Sequence, residues 1–174
     1  MSRTLIRFDA RDGEGNTPLM RASLDGQTAT VEALLRKGAD VNAQNHEGRT
    51  ALMFAIINLR TATVNTLLEF GADVDVRARC GCTPLMLAAC SGDIGITRAL
   101  LKRDADAGKV CGLGRTALMV AVERGYTAIS EVLKRAMGET TRANLNRHSS
   151  DIGKYRTSDF SPRQPKPSPS LEIS

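Results

Sequence analysis

Thr17-Pro18-Leu19-Met20, Thr50-Ala51-Leu52-Met53, Thr83-Pro84-Leu85-Met86 and Thr116-Ala117-Leu118-Met119 begin 33 residues apart each time, with no insertion or deletion between them. A fixed period of this size marks stacked supersecondary units, none of which can bury its apolar face alone. Such arrays offer an extended surface to partners and seldom enclose a catalytic pocket. Aromatic residues make up only 3% of the chain and Trp is absent, so the core has to be built from Leu, Ala, Val, Ile and Met. Stacked pairs of short helices suit side chains of that size.

Aligned on the Thr, the copies show a physical logic. Gly15, Gly48, Gly81 and Gly114 lie two residues before it and predict a turn with positive φ. Thr is a good N-cap and Pro fits the first helical position, so first helices are expected from about 18, 51, 84 and 117. Leu19 and Ala22, and their equivalents 52 and 55, 85 and 88, 118 and 121, recur at helical spacing. Gly26, Gly92 and Gly125 should end these helices in the left-handed conformation. Repeat 2 has Leu59 there, so either Asn58 supplies the left-handed residue or the helix runs on. Second helices carry Val31, Leu34 and Leu35, then Val64, Leu67 and Leu68, and stop at Gly38 and Gly71. Asp104 replaces that glycine in repeat 3, which predicts a mildly strained turn, since Asp tolerates the left-handed region less well than Gly.

These residues resemble the ankyrin repeat, whose pattern is D-x-x-G-x-T-P-L-H-x-A, a Gly turn, then L-L-x-x-G-A-D-V-N. Residues 12–44 match it nearly throughout, and the resemblance covers about residues 12 to 137. It implies an all-α solenoid of helix–turn–helix units with β-hairpin fingers between repeats. Met20, Met53, Met86 and Met119 replace the motif's His, exchanging a hydrogen-bonding ring for adaptable apolar packing. The expected organisation is a lead-in over 1–11, four repeats within 12–138 (about 12–44, 45–77, 78–110 and 111–138) and a tail over 139–174. The tail is rich in Ser, Thr, Asn, Arg and Pro and is expected to be disordered. It carries a PxxP element at Pro162–Pro165 and Ser-Pro pairs at 161 and 168.

The stack needs polar ends. Arg21 and Ser23 of repeat 1 stand where later repeats have apolar residues, and Ser130 and Lys134 of repeat 4 replace Val and Leu. Repeats 1 and 4 are therefore expected to be caps of a complete array. A fragment of a longer array is the alternative.

The net charge is +5, two units of it in the tail, which holds six basic and four acidic residues. The signs are mixed rather than gathered into the dense basic stripe of a nucleic-acid binder. No apolar run is long enough for a membrane span and residues 1–11 lack the core of a signal peptide, so the expected location is cytoplasmic, or nuclear. Four cysteines do not make a disulfide framework at this length. His46 and His148 are the only histidines, and no nucleophile–base pair or phosphate-cradling loop appears, so the chain is expected to be no enzyme and to need no cofactor or metal.

The resemblance implies contact with partners through fingertips and the exposed side of the first helices. The matching positions are Glu14, Asn16, Leu24 and Asp25 in repeat 1, and His46, Glu47, Arg49, Ile57 and Asn58 in repeat 2. Repeat 3 offers Arg79, Cys80, Cys82, Cys90 and Ser91, and repeat 4 offers Leu113, Arg115, Glu123 and Arg124. Ile57 and Cys90 are apolar neighbours among arginines, which fits a protein partner with an acidic rim around an apolar anchor. The expected function is thus a monomeric adaptor, scaffold or inhibitor. A nucleic-acid-associated basic protein, or a tether acting through its tail, is the alternative. The cysteines Cys80, Cys82, Cys90 and Cys111 are expected to be free, inert thiols. The alternative is redox sensitivity, with exposed cysteines near Arg79 and Arg115 of lowered pKa, and their spacing is poor for zinc. Asn42 resembles a hairpin asparagine that some eukaryotic ankyrin proteins present to an oxygen-dependent hydroxylase, with Asp75 and Gly108 in the equivalent places.

Overall fold

The computed structural model describes residues 10–138. They form eight helices: α1 (Pro18–Asp25), α2 (Thr28–Arg36), α3 (Ala51–Ile57), α4 (Thr61–Glu69), α5 (Pro84–Ser91), α6 (Ile94–Leu101), α7 (Ala117–Glu123) and α8 (Thr127–Met137). First helices α1, α3, α5 and α7 pack in one layer, each on the next, and α2, α4, α6 and α8 pack behind them in a second. The tail and residues 1–9 of the lead-in lie outside the described residues.

The four threonines start the first layer as expected. Thr17, Thr50, Thr83 and Thr116 each accept a hydrogen bond from the N–H of the Met three residues on, at 3.3, 3.4, 3.4 and 3.2 Å. Each cap satisfies one of the donors that a helix start leaves open. The methionines are core residues: Met20, Met53 and Met86 are buried, and Met119 is half-buried. Leu19, Leu52, Leu85 and Leu118 are at most 1% exposed and meet Val31, Val64, Leu67, Leu100 and Leu133 of the second layer. Burying a Leu in such a place is worth roughly 2 kcal/mol relative to leaving it in water.

Gly26 and Gly92 are left-handed caps and Gly125 has φ +74°. In repeat 2, Leu59 itself takes the left-handed conformation, with φ +56°, and Asn58 does not, with φ −99°. Two bonds lock Leu59 there: its own N–H donates to Ile56 C=O at 3.0 Å, and Arg60 N–H reaches back to Ala55 C=O at 2.8 Å. Repeat 1 makes the same reach-back through Gln27 and repeat 4 through Tyr126. The turn geometry therefore overrides the residue's preference. Asp104 likewise holds φ +61°, the strained turn anticipated above. Leu59 and Asp104 are the non-glycine residues with positive φ among those described.

The polar-cap reading needs correcting at two positions. Ser23 is fully buried, because its row (Ser23, Ile56, Ala89) faces the following repeat and is covered by it, and the Ser23 hydroxyl finds no partner among the described residues. The last member of that row, Val122, is 52% exposed. Ser130 is also buried, its hydroxyl donating to Tyr126 C=O at 2.9 Å. Arg21 and Lys134 are exposed, as expected.

Candidate functional site: a row of fingertips

No strand is found among the described residues, so the fingers are turns rather than paired hairpin strands. Each tip is a five-residue loop closed by two backbone bonds. One runs from Asp12 N–H to Asn16 C=O, Asn45 to Arg49, Ala78 to Cys82, and Cys111 to Arg115, at 2.9 to 3.1 Å. The other runs back from Gly15, Gly48, Gly81 and Gly114 N–H to the first residue's C=O, at 2.8 to 2.9 Å. Successive tips are joined by a further bond. His46 N–H donates to Glu14 C=O at 3.1 Å, Arg79 to Glu47 at 2.8 Å, and Gly112 to Cys80 at 2.9 Å. The row is tight enough at the third joint to need glycine: a Cβ on Gly81 would lie 2.7 Å from Gly112 N.

Side chains brace the first two tips. The Asp12 carboxylate accepts from Glu14 N–H at 2.9 Å and Asn16 N–H at 2.8 Å. Asn45 Oδ1 repeats this with Glu47 and Arg49 N–H at 3.0 and 2.9 Å. The Asn16 N–H is the largest influence holding the Asp12 carboxyl down, from 3.8 to about 2; burial opposes it, and the Asn16 side chain, Glu14 N–H and Arg21 add to it. Ala78 and Cys111 occupy the brace positions of the third and fourth tips.

A second set of bonds links the bases of the fingers at the repeat interval. Arg11 donates to Gln44 C=O at 2.6 Å, Gln44 to Arg77 C=O at 3.4 Å, and Arg77 to Val110 C=O at 2.6 Å. Asn42 Oδ1 accepts from Asp73 N–H at 2.8 Å, and Asp75 does the same for Asp106 at 3.1 Å. Arg60 lies across Gly26, its Nε donating to Leu24 C=O at 3.4 Å. Sequence reasoning singled out Asn42 and Asp75 for another role and passed over the bonding of Arg11, Gln44, Arg77 and Arg60. Their signal was available as donors and acceptors recurring at the 33-residue interval.

The expected contact residues fall into three groups. Glu14, Asp25, His46, Glu47, Arg79, Cys80, Leu113 and Arg124 are exposed, and Leu24 is 37% exposed. Ile57, Asn58, Cys90 and Ser91 are half-buried on the first helices; Asn58 and Ser91 donate to Phe54 and Leu87 C=O, each at 2.9 Å. Asn16 and Cys82 are buried rather than exposed, at 8% and 2%. Asn16 is drawn inward by Asp12, Glu14 and Asn45, which its side chain bonds at 3.1, 3.1 and 2.8 Å.

The arginines are not equivalent. Arg49 pairs with Glu47 at 3.0 Å, and Arg115 pairs with Glu123 at 2.8 Å, with side chains 20% and 26% exposed. Arg79 makes no ion pair among the described residues and points its charge into solvent from the third tip. The lowered-pKa alternative for the thiols also changes: Cys82 and Cys111 are buried, and the Cys82 thiol is pushed far up, chiefly by burial and then by Cys80 and Cys111, with Arg115 opposing. No set of three or more His, Cys, Asp or Glu side chains among the described residues is placed to hold a metal ion. A groove of about 490 Å³ beside Leu101, Asp104, Asp106 and Met137 is lined without any Ser, Cys or His.

A family model for ankyrin repeats, spanning three copies, matches residues 2–78 and again residues 63–144. The chain belongs to the ankyrin-repeat family. No curated protein sequence matches it. Ankyrin repeats generally serve protein–protein interaction and are typically non-enzymatic. Among the described residues, no helix is long and apolar enough to cross a membrane.

Proposed function

We propose that this ankyrin chain is a non-catalytic adaptor or inhibitor that docks a folded protein along its fingertips and first-helix face. The observation that carries the reading is the row Leu24, Ile57 and Cys90. It runs apolar and part-exposed across three repeats, beside a third tip that points Arg79 into solvent. An apolar centre with a polar rim is the anatomy of a contact patch. The chemistry it fits is an acidic rim around an aliphatic or aromatic anchor, engaged by a monomer of this chain in the cytoplasm or nucleus.

The arginines should contribute unequally. Arg79→Glu reverses a charge that no internal partner neutralises, and weakens binding of the captured partner about tenfold, ~1.4 kcal/mol. Arg49→Glu and Arg115→Glu each also lose an internal acid, and cost less at the interface than they cost the fold. Titration calorimetry of the purified partner against each variant checks the order. Equal affinity for wild type and Arg79→Glu would place the contact surface elsewhere. An affinity falling steeply with salt, and kept with a random DNA duplex, would favour the nucleic-acid reading instead.

A further inference from the structure

Cys80, Cys82 and Cys111 of repeats 3 and 4 form a group apart from the apolar row Leu24, Ile57 and Cys90. Across the first junction, Asn45 Nδ2 donates to Asn16 Oδ1 at 2.8 Å. Sixty-six residues on, Cys82 and Cys111 fill the same two places at the third junction. Both are free thiols, 2% and 6% exposed, in the two places whose side chains meet across the first junction. The backbones there are already in contact: Gly112 N–H bonds Cys80 C=O at 2.9 Å, and a Cβ on Gly81 would lie 3.2 Å from the Cys111 carbonyl carbon. Cys80 and Cys111 both act to raise the Cys82 thiol, after burial, so the three thiols lie within reach of one another. Cys80 is the exposed member. The tip that carries it lacks the side-chain brace of the first two, since Ala78 stands where Asp12 and Asn45 stand. That leaves it room to shift toward the Cβ separation of about 3.8 Å that a disulfide needs.

We propose that Cys80, Cys82 and Cys111 form a thiol relay that closes a Cys82–Cys111 disulfide across the junction of repeats 3 and 4. The oxidant is a small-molecule disulfide of the glutathione type. The Cys80 thiolate attacks one sulfur of that disulfide, breaking its S–S bond and releasing one small thiolate. Cys82 passes its proton to the released small thiolate and attacks Cys80 Sγ, which expels the second small thiolate and forms a Cys80–Cys82 bond. Cys111, losing its own proton, attacks Cys82 Sγ, and Cys80 leaves as a thiolate. Two protein thiols are oxidised and one small disulfide is reduced to two thiols. The last exchange runs forward because a bridge spanning one residue, with Gly81 at φ +76°, departs from relaxed disulfide geometry and is easily displaced. The product staples the fourth repeat to the third.

The test uses the full chain, equilibrated in buffers of oxidised and reduced glutathione, quenched in acid, alkylated and digested with trypsin. Cleavage after Arg79 and Arg98 gives peptide 80–98, which holds Cys80, Cys82 and Cys90; cleavage after Lys109 and Arg115 gives peptide 110–115, which holds Cys111. The expected product is these two peptides joined. The link should survive in Cys80→Ser, forming at least tenfold more slowly, survive unchanged in Cys90→Ser, and vanish in Cys82→Ser and Cys111→Ser. The Cys111→Ser protein is checked for wild-type circular dichroism, so that loss of the link is not loss of the fold. A bridge confined to peptide 80–98, a link that Cys80→Ser abolishes, a bond between two chains, or no oxidation at all would each overturn the proposal.

Discussion

The first and third junctions share a backbone and differ in what braces it. At the first, Asp12 and Asn45 each hold two N–H groups of their own tips, and Asn45 also bonds Asn16 across the gap. At the third, Ala78 and Cys111 hold the brace positions, and Cys82 and Cys111 stand in the places of the two asparagines. The backbone bond between tips persists at both, at 3.1 and 2.9 Å. The path of the fingers is thus set by glycine turns and the Leu/Ala core beneath them. Side-chain bracing is a local addition that one joint can do without. Repeat arrays make this tolerable, because their stability is close to a sum of local and nearest-neighbour contributions. A joint can trade bracing for another chemistry without unfolding the rest.

The largest test removes the brace where it exists. Asn45→Ala deprives two tip N–H groups of their acceptor and deletes the bond to Asn16, at about 1 kcal/mol for a typical bond. Allowing for water reaching the exposed tip, the expected cost is about 2 kcal/mol in urea unfolding. The converse, Ala78→Asn, installs the brace at the third tip and should stabilise by about 1 kcal/mol. Unchanged midpoints for both would mean that the two junctions do not differ in the way described, and that the tip amides are satisfied equally well by water.

A smaller effect separates turn from brace. Leu59 holds φ +56° on a side chain 50% exposed to water. An L-residue with a Cβ pays roughly 1–2 kcal/mol for that conformation, and glycine recovers this less its greater freedom in the unfolded chain. Leu59→Gly should therefore raise stability by up to about 1 kcal/mol in thermal melts. Asp104→Gly should gain less, since Asp tolerates the left-handed region better. A loss on Leu59→Gly would show that the Leu side chain packs usefully, and that repeat 2 is adapted to it.

Much of this was legible in the sequence, for identifiable reasons. The helix starts follow from a capping Thr with Pro or Ala after it, and the tip turns from glycines at a fixed place; both are short-range effects written in adjacent residues. Leu59 was not legible, because the backbone bonds of Arg60 and Leu59, set by packing of α3 on α4, decide its conformation against its own preference. Ser23 and Ser130 misled in the same way: hydroxyls suggested an outer face, whereas the direction of each row decides which side the next repeat covers. On the candidate surface, Glu14, Glu47 and Arg79 stand exposed at the fingertips where the repeat register puts them. The sequence could not show that Asn16 turns inward, nor that Glu47 and Glu123 already pair with Arg49 and Arg115, because those depend on side-chain rotamers across the fingers.

The gentlest test uses acid as a probe of one brace, with the other as its control. The Asp12 carboxyl is held down to about 2, below its ordinary 3.8, so the fold favours its charged form. A group depressed in the folded state adds stability that is fully present above its unfolded pKa and is lost as pH falls through the folded one. Tip 1 should therefore stay braced above pH ~4 and loosen toward pH ~2, with the amide resonances of Glu14 and Asn16 titrating near 2 in nitrogen–proton spectra. Asn45 braces tip 2 with a neutral amide, so Glu47 and Arg49 should not follow that titration. Asp12→Asn keeps the acceptor and removes the proton, and should make tip 1 as indifferent to acid as tip 2. Glu14 and Asn16 resonances that move instead near pH 4 would mean that the Asp12 carboxylate is solvated in solution. The first tip would then be no better braced than the third, and the contrast between the two junctions would rest on Asn45 alone.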